Sequence, residues 1–380
     1  MIDTPGFDDF VGEQIAAASV TDVAIIVVNG QSGVEVGTEQ AWEQTSKAEK
    51  PVIFAINHID QEKADFDTAV EQIKERCDSK ATVIQYPLNQ GNGFDTIVDV
   101  LQMTAYKFGA DGGKPEKIDI PGSEKDKVDE LRNELIEMAA ENDEGLMELF
   151  FDKGTLSEEE LTKGLKMGIA NRELFPVFCT AAGSNMGSGR LMGFINDICP
   201  SPVEMAGTKM EEGENLPPKD DGETVCFVYK TVSEPHLGDM SFFKVCSGKL
   251  TTGTDLYNQQ TTTAERINQL YVVRGKNREA VTEVHAGDIV ATVKLKNTHT
   301  NNTLGVKGSD ALVAQMQFPE PNTRAAVTTV TKGEEDKLAG ALHAVHEEDP
   351  TVIIEHSQEL KQTILSVQGE LHLTVIKWKI

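Results

Sequence analysis

The sequence predicts three successive folding units: an α/β domain built on a parallel sheet, an antiparallel β domain and a smaller α+β domain. Unbroken apolar runs that alternate with helical patterns indicate the first, and short alternating segments divided by turns indicate the second. A strand–helix–strand–strand order near the end indicates the third. At 380 residues the chain is long enough for two or three hydrophobic cores, which agrees with this division.

Three apolar runs, typical of parallel strands buried on both faces, predict the sheet of the α/β domain. They are VAIIVVN at 23–29, PVIFAIN at 51–57 and PVFCTAA at 176–182. Helical patterns lie between or after these runs, over 36–48, 66–77 and 190–199. Strands that alternate with helices form a parallel sheet with crossover helices. Residues 1–200 are therefore assigned to this domain.

A long insertion, at about residues 81–175, separates the second apolar run from the third. It opens with ATVIQYPL, a predicted strand, and continues with FDTIVDVLQMTAYKF, a further strand or hairpin. Strong 3.6-residue periodicity then predicts helices over 127–151. The segment TLSEEEL begins another helix, because a Thr or Ser cap is followed by glutamates in the first turn. The insertion is expected to be a subdomain grafted into the sheet domain.

The composition changes after the sheet domain. Residues 201–223 combine proline, glycine and charge without periodicity, which predicts a linker. Short alternating segments over 224–318 predict an antiparallel barrel or sandwich. Residues 319–380 are predicted to form most of a split βαβ unit that stops before its last strand.

The overall composition is that of a cytoplasmic globular protein, with 39% hydrophobic and 26% charged residues. We expect no membrane segment, because the longest aliphatic run is too short to span a bilayer and no leader opens the chain. The five cysteines have no spacing suited to zinc or a redox dithiol. A net charge of −27 argues against coating nucleic acid by phosphate neutralisation alone, although residues 224–307 carry a net +3.

Two short motifs lie where loops are expected to leave the parallel sheet. Asp3-Thr4-Pro5-Gly6 follows an aliphatic residue, as does the phosphate-sensing turn of P-loop GTPases. Asn57-His58-Ile59-Asp60 follows the second run, at the end where open α/β sheets bind ligands. An aspartate there can accept from guanine N1–H and from the exocyclic amine, which adenine cannot match. Each motif alone also occurs as an ordinary turn or cap, but their order and spacing indicate a GTPase.

With both motifs in place, the chain resembles the translational GTPases, specifically elongation factor G, over nearly its whole length. Segments in several predicted domains carry the resemblance: DTPGFDDF, PVIFAINHID, VFCTAAGSNMGSGRLM, SFFKVCSGKL, VTEVHAGDIVATVKLKNTHTNNTL, FPEP, EEDPTVII and GELHL. The resemblance implies a partial P-loop GTPase sheet with a helical insertion, a translation-factor β-barrel and an incomplete ferredoxin-like domain. It also implies a monomeric factor that binds the ribosome, both ribosomal RNA and ribosomal proteins, and promotes translocation with GTP or GDP and Mg²⁺.

The chain departs from the family at three places within these motifs. Phe7 stands where the family has the histidine that positions the attacking water, and a phenyl ring cannot hydrogen-bond water. His58 replaces the lysine of Asn-Lys-x-Asp; its imidazole could stack on guanine but is too short to hold the phosphate loop. Ala181-Ala182 replaces Ser-Ala, so a backbone N–H to the guanine carbonyl is expected without the hydroxyl. Hydrolysis is therefore expected to be weakened or absent, unless Phe7 simply packs under the following helix.

The family's phosphate loop and magnesium-binding switch precede the position of Asp3, and the 380 residues contain neither. We therefore expect the central part of a longer protein, with three strands of the sheet, no bound nucleotide and no assigned catalytic residue or metal ligand. The candidate nucleotide-binding positions are Asp3, Thr4, Pro5, Gly6, Phe7, Asn57, His58, Asp60, Ala181 and Ala182. The candidate positions for ribosomal RNA are Arg274, Lys276, Arg278, Lys294 and Lys296.

Three functions remain open from the sequence. The first is a competent GTPase that drives translocation, and the second is a non-hydrolysing factor that acts through conformational preference. The third is a ribosomal protection protein that dislodges an antibiotic and shares the same architecture.

Overall fold

A computed structural model describes residues 1–234, 238–331, 333–357 and 362–380. Within these ranges the helices are α1 (Val11–Val20), α2 (Val36–Lys47), α3 (Phe66–Arg76), α4 (Lys125–Ala140), α5 (Glu144–Lys153), α6 (Glu158–Ala170), α7 (Ser188–Ile198), α8 (Glu335–Glu348) and α9 (Glu370–Lys379). The strands are β1 (Ala24–Asn29), β2 (Val52–Asn57), β3 (Ala81–Val83), β4 (Gln85–Pro87), β5 (Thr96–Asp99), β6 (Thr104–Lys107), β7 (Glu116–Ile118), β8 (Phe175–Cys179), β9 (Val225–Glu234), β10 (Gly238–Ser247), β11 (Leu250–Thr251), β12 (Thr254–Asn258), β13 (Thr263–Ile267), β14 (Leu270–Arg274), β15 (Asn277–Val281), β16 (Glu283–Val284), β17 (Ile289–Val293), β18 (Thr303–Gly305), β19 (Thr323–Val327), β20 (Ile353–Ser357) and β21 (Gln362–Val367).

The chain divides into two compact units. One is Thr21–Ser201, and the other combines Met1–Val20 with Pro202–Ile380. Helix α1 belongs to the second unit because its apolar side packs into a cluster with strand β9: Ala16 and Val20 lie beside Phe227 and Tyr229. The division at residue 200 made from the sequence stays a prediction, and residues 1–20 lie outside the unit that holds the parallel sheet.

The parallel sheet of the first unit has the strand order β1-β2-β8-β3. Strands β2 and β8 are buried almost throughout, as the unbroken apolar runs predict. The structure adds a fourth strand, Ala81–Val83, to the three predicted from the sequence, and this strand pairs in parallel with β8. It is only three residues long and runs on into β4 of another sheet, so the apolar pattern of ATVIQYPL shows no break.

The insertion contains a four-stranded antiparallel sheet, in the order β4-β5-β6-β7, and the helices α4 to α6. The predicted hairpin is confirmed as β5 and β6, which pair from Thr96 with Lys107 to Asp99 with Thr104. Helix α6 begins at a capping box in which the Ser157 hydroxyl accepts from the Glu160 N–H, and the Glu160 carboxylate accepts from the Ser157 N–H.

The β domain of the second unit is an eight-stranded antiparallel sheet in the order β13-β12-β18-β9-β10-β17-β14-β15. Its main core contains Val228, Phe243, Leu256 and Leu304 among other buried residues. The α+β domain has the strand order β19-β21-β20, with α8 and α9 beside the sheet, so the predicted strand–helix–strand–strand order is confirmed. The predicted fold class, with parallel α/β, antiparallel β and α+β parts, is therefore the observed one.

Among the described residues, no helix combines the length and the apolar character needed to cross a membrane.

Gly164 provides a test of the packing within the insertion. A methyl group at Gly164 of α6 would overlap the backbone carbonyl oxygen of Ala139 in α4, so Gly164→Ala should destabilise the first unit by about 1–3 kcal/mol. Gly193→Ala is the matched control, since the atom nearest to the added methyl group is 3.6 Å away, at the flexible end of the Arg190 side chain. The higher helix propensity of alanine should then stabilise the unit by about 0.5–1 kcal/mol. Urea unfolding followed by Trp42 fluorescence, in a Trp378→Phe background, measures both changes. Equal effects of the two substitutions would contradict the close packing of α4 and α6.

Candidate functional site

Asn57 connects three loops at the carboxyl end of the parallel sheet. Its side-chain Oδ1 accepts from the Ala182 N–H at 2.9 Å and from the Thr180 hydroxyl at 3.2 Å. Its backbone carbonyl accepts from the Gly30 N–H at 2.7 Å. The loops that follow β1, β2 and β8 are therefore held together by one residue.

Asp60 lies in the same loop as Asn57 and is held by a residue of the loop after β8. Its Oδ2 accepts from the Ser184 hydroxyl at 2.8 Å, while Gln61 Nε2 is 3.5 Å from Oδ1. Between the two polar positions, the fully buried Ile59 anchors the loop in the core. A carboxylate has about four lone-pair sites, so Asp60 retains the capacity to accept two more hydrogen bonds.

His58 stands in the middle of this loop with φ +65°, in the left-handed region that costs a non-glycine residue about 1 kcal/mol or more. Its side chain is exposed, and its ring makes no hydrogen bond to other described residues. The conformation directs the loop so that Ile59 enters the core while its polar neighbours stay outside.

A carboxylate with two unused acceptor sites and an exposed loop backbone are groups that could contact the base of a guanine nucleotide, as the family resemblance implies. Asp60 can receive two donors, and Ala182 is exposed beside it, whereas Ala181 is buried. The Ala182 N–H predicted to serve the guanine carbonyl donates to Asn57 here, so a base could use it only if that bond is released or shared. In the part of the chain that is described, no group of three or more His, Cys, Asp or Glu side chains is arranged to hold a metal ion.

The Asp3–Phe7 segment belongs to the other unit and precedes a short 3₁₀ turn, Asp8–Phe10. The Pro5 carbonyl accepts from Gln14 Nε2 at 3.2 Å, which ties the segment to α1. The Phe7 side chain is 66% exposed, so it does not pack under the helix that follows. Packing therefore gives no reason for a phenylalanine at this position.

The helix after this segment is anchored by His372. The His372 backbone N–H donates to Asp9 Oδ2 at 2.9 Å, and the ring centroids of His372 and Phe10 are 5.7 Å apart. The buried His372 ring bridges two more groups: Nδ1 accepts from the Gln368 N–H, and Nε2 lies 3.0 Å from Asp349 Oδ2. No local sequence pattern signals this network, because its members are far apart in the chain.

The Asp349 carboxyl is held in its charged form by the network. Burial acts to raise its pKa, but hydrogen bonds from His372 and Thr351 outweigh burial and hold the pKa below its ordinary value of 3.8. Thr351 contributes two of these bonds to Asp349 Oδ1, from its N–H at 2.9 Å and from its hydroxyl at 2.6 Å.

The basic positions considered for RNA contact are exposed on the β domain. Arg274 and Lys276 lie at the β14–β15 turn, where Arg274 forms an ion pair with Glu279. Lys294 and Lys296 follow the end of β17. This region is a separate feature from the loops around Asn57.

Three family models match the chain in succession. The model described as the elongation factor Tu GTP binding domain matches residues 1–201, and those for elongation factor G domain 2 and domain III match 223–307 and 318–380. Among solved structures, one from Thermus thermophilus, titled "Crystal structure of ttk003000868", is similar, with a TM-score of 0.88 and 27% sequence identity. That match covers 99% of this chain and 55% of that one, so the chain spans about half the length of the similar protein.

The chain therefore belongs to the translational GTPase family defined by the elongation factor Tu GTP-binding domain, because the first model covers more than half of it. The two further domains that follow in order are those of the elongation factor G group, as the resemblance of the motifs implies.

Asp349→Asn tests the network that anchors α1. Loss of the charge should destabilise the α+β domain by about 1–3 kcal/mol near neutral pH, since hydrogen bonds to charged groups contribute on that order. Because the pKa of Asp349 is lowered in the folded state, its carboxylate stabilises the fold fully above pH 3.8. This stabilisation is lost as the pH falls through the folded-state pKa, so the difference in stability between wild type and variant should shrink there. Hydrogen exchange of the α9 amides, corrected for intrinsic rates, measures the effect. Glu355→Gln, an exposed change in the same domain, should have little effect, and an equal effect of both would contradict the network.

Proposed function

We propose that this chain is the central part of a cytoplasmic, monomeric translation factor of the elongation factor G type. The complete factor binds guanine nucleotide and the ribosome and promotes translocation, with GTP hydrolysis weakened or absent. The observation that carries the nucleotide part is the Asn57 bridge between the loops after β2 and β8, with the Asp60 carboxylate fixed beside it. Family membership supports the ribosomal part.

In this proposal Asp60 selects guanine. Its carboxylate accepts from N1–H and from the exocyclic amine, and both contacts are charge-assisted. Asn57 orients the loop, and the N–H of Ala182 serves the base carbonyl after release from Asn57. GTP with Mg²⁺ supplies the phosphoryl group for hydrolysis in the complete factor, and residues outside these 380 would hold the phosphates and the metal.

Phe7 supports the weakened hydrolysis. It follows Gly6 at the family's water-positioning site, and it lacks any group that could donate to or accept from water. Its 66% exposure argues against a packing role in this chain. Loss of a proton-transfer or water-orienting group lowers rates by about 10²–10⁴.

In the complete factor, Asp60→Asn should shift the base preference from guanine towards xanthine. The amide presents a donor where the guanine amine needs an acceptor, and the xanthine carbonyl can use that donor. Competition between GTP and XTP measures the preference, and Asp152→Asn, an exposed change of the same charge in the same unit, is the control. An unchanged GTP/XTP ratio in Asp60→Asn would exclude the proposed role.

Phe7→His should increase ribosome-stimulated hydrolysis in the complete factor by about tenfold or more, because an imidazole can orient the attacking water. Phe7→Leu is the control, since it changes the ring without adding a hydrogen-bonding group and should leave the rate low. Single-turnover hydrolysis on ribosomes at saturating factor measures both. A wild-type rate already as high as that of Phe7→His would show that Phe7 does not limit the chemistry.

Lys276→Glu should weaken ribosome binding and its salt dependence, if the β14–β15 turn contacts RNA. Each lost phosphate contact should lower the slope of log affinity against log salt by about 0.7–0.9. Arg266→Glu is the control within the same domain, because Arg266 is already paired with Asp255. Ribosome pelleting across a salt series would contradict the assignment if the two variants behaved alike.

A further inference from the structure

The inserted subdomain touches the loop that carries Asn57 and Asp60. The Gly91 N–H donates to the carbonyl of Ile59 at 2.8 Å, inside the Asn57–Asp60 motif itself. The neighbouring Gln90 side chain accepts from the Phe66 N–H at 2.7 Å, where α3 begins. The loop after β2 and the start of α3 are therefore bonded to the insertion.

A second segment of the insertion touches the loop after β8. The Gly113 N–H donates to the Asn185 carbonyl at 3.1 Å. Gly112 has φ +66°, and a methyl group at its Cα would overlap the Ser184 carbonyl oxygen. Only glycine can meet both conditions without a shift of the loop, since it tolerates this φ and lacks Cβ.

An ion pair between the buried Asp99 and the partly exposed Arg190 also joins the insertion to the start of α7. Asp99 of β5 is fully buried, and its Oδ2 lies 3.1 Å from Arg190 in the first turn of α7, immediately after the loop. Gln85 donates to the same oxygen at 2.7 Å, and the Gln102 N–H donates to Oδ1 at 2.8 Å. The carboxylate is fully engaged, so the insertion and the start of α7 are fixed to each other.

We propose that Gly112 and Ser184 are positioning residues that set the orientation of the Asp60 carboxylate and thereby the preference for guanine. The connection is short: Gly112 packs on the Ser184 backbone, and the Ser184 hydroxyl donates to Asp60 Oδ2 at 2.8 Å. This inference rests on the proposed guanine recognition and assigns to the insertion a part in it. The base feature that this orientation reads is the exocyclic amine, which guanine has and hypoxanthine lacks.

The physical consequence of a Cβ at Gly112 is a displaced Ser184. The added Cβ would meet the backbone of Ser184 rather than the end of a flexible side chain, so the loop after β8 must move as a whole. A shift of about 1 Å would take the Ser184 hydroxyl out of hydrogen-bonding range of Asp60. The carboxylate would then rotate freely, and one of its two contacts to guanine would be lost.

The test compares GMP with IMP by ligand-detected NMR competition, which detects the weak binding that is expected of the 380-residue chain without a phosphate loop. Monophosphates are used because they depend least on that loop. Wild type should prefer GMP by about tenfold or more, the contribution of one hydrogen bond to a charged group. Gly112→Ala and Ser184→Ala should both lose most of this preference, and Ser184→Thr, which keeps the hydroxyl, should restore it.

Two controls separate positioning from general strain. Gly154→Ala introduces the same left-handed strain, at φ +67°, with no atom within 4 Å, and Gly109→Ala adds a methyl to the same insertion loop in open space. Both should keep the wild-type preference. A loss in Gly154→Ala equal to that in Gly112→Ala, or a wild-type preference in folded Gly112→Ala or Ser184→Ala, would overturn the inference.

Amide hydrogen exchange, measured without nucleotide, distinguishes a failure of this inference from a failure of the proposed guanine recognition. Gly112→Ala should accelerate exchange at Ala182 and Asn185, and the two control variants should not. Unchanged exchange in Gly112→Ala would overturn the inference. A wild-type chain with no preference for GMP over IMP would contradict the proposed guanine recognition, and with it the role of Ser184 in base selection, whatever the exchange result.

Discussion

The Oδ1 atom of Asn57 is the acceptor on which the candidate site depends. It receives the Ala182 N–H and the Thr180 hydroxyl, and it does so directly above fully buried Ile56 and Ile59. These bonds are partly exposed, so their importance lies in joining the loops rather than in a large contribution to stability. The position of Ser184, and through it the orientation of Asp60, follows from this fixed start of the loop.

The insertion is bonded to the loops that it borders. Hydrogen bonds from Gly91 and Gly113 reach the loops after β2 and β8, and the buried Asp99 pairs with the partly exposed Arg190 at the start of α7. Replacement of Arg190 would leave the Asp99 charge buried without this partner, which destabilises. A subdomain that interrupts the sheet domain in sequence is thus bonded to the loops at the carboxyl end of the parallel sheet.

The Asp3–Phe7 segment is supported in a different way. Its helix packs Ala16 and Val20 into an apolar cluster, and Lys230 forms an ion pair with Glu13 at 2.6 Å. Asp9 accepts a further hydrogen bond from the His372 backbone N–H. The Phe7 side chain lies outside all of these contacts and is exposed, so they do not explain a phenylalanine at this position.

The sequence by itself determined the elements whose signal is local. Unbroken apolar runs identified β1, β2 and β8, and the Ser157 cap located the start of α6. Burial on both faces explains the runs in β2 and β8, whereas β1 lies at the edge of the sheet and is partly exposed, so the prediction of burial on both faces is wrong for β1. The order of the two motifs and the match of segments across domains indicated the family. Only the tertiary structure decided that Ala81–Val83, the start of the predicted strand ATVIQYPL, is a fourth strand of the parallel sheet, since the apolar pattern does not show where the chain passes from one sheet to another. It also decided the contacts of His372 with Asp9 and of Gly112 with Ser184. Such contacts join residues distant in the chain, and the energy of each depends on distances that only the folded backbone sets.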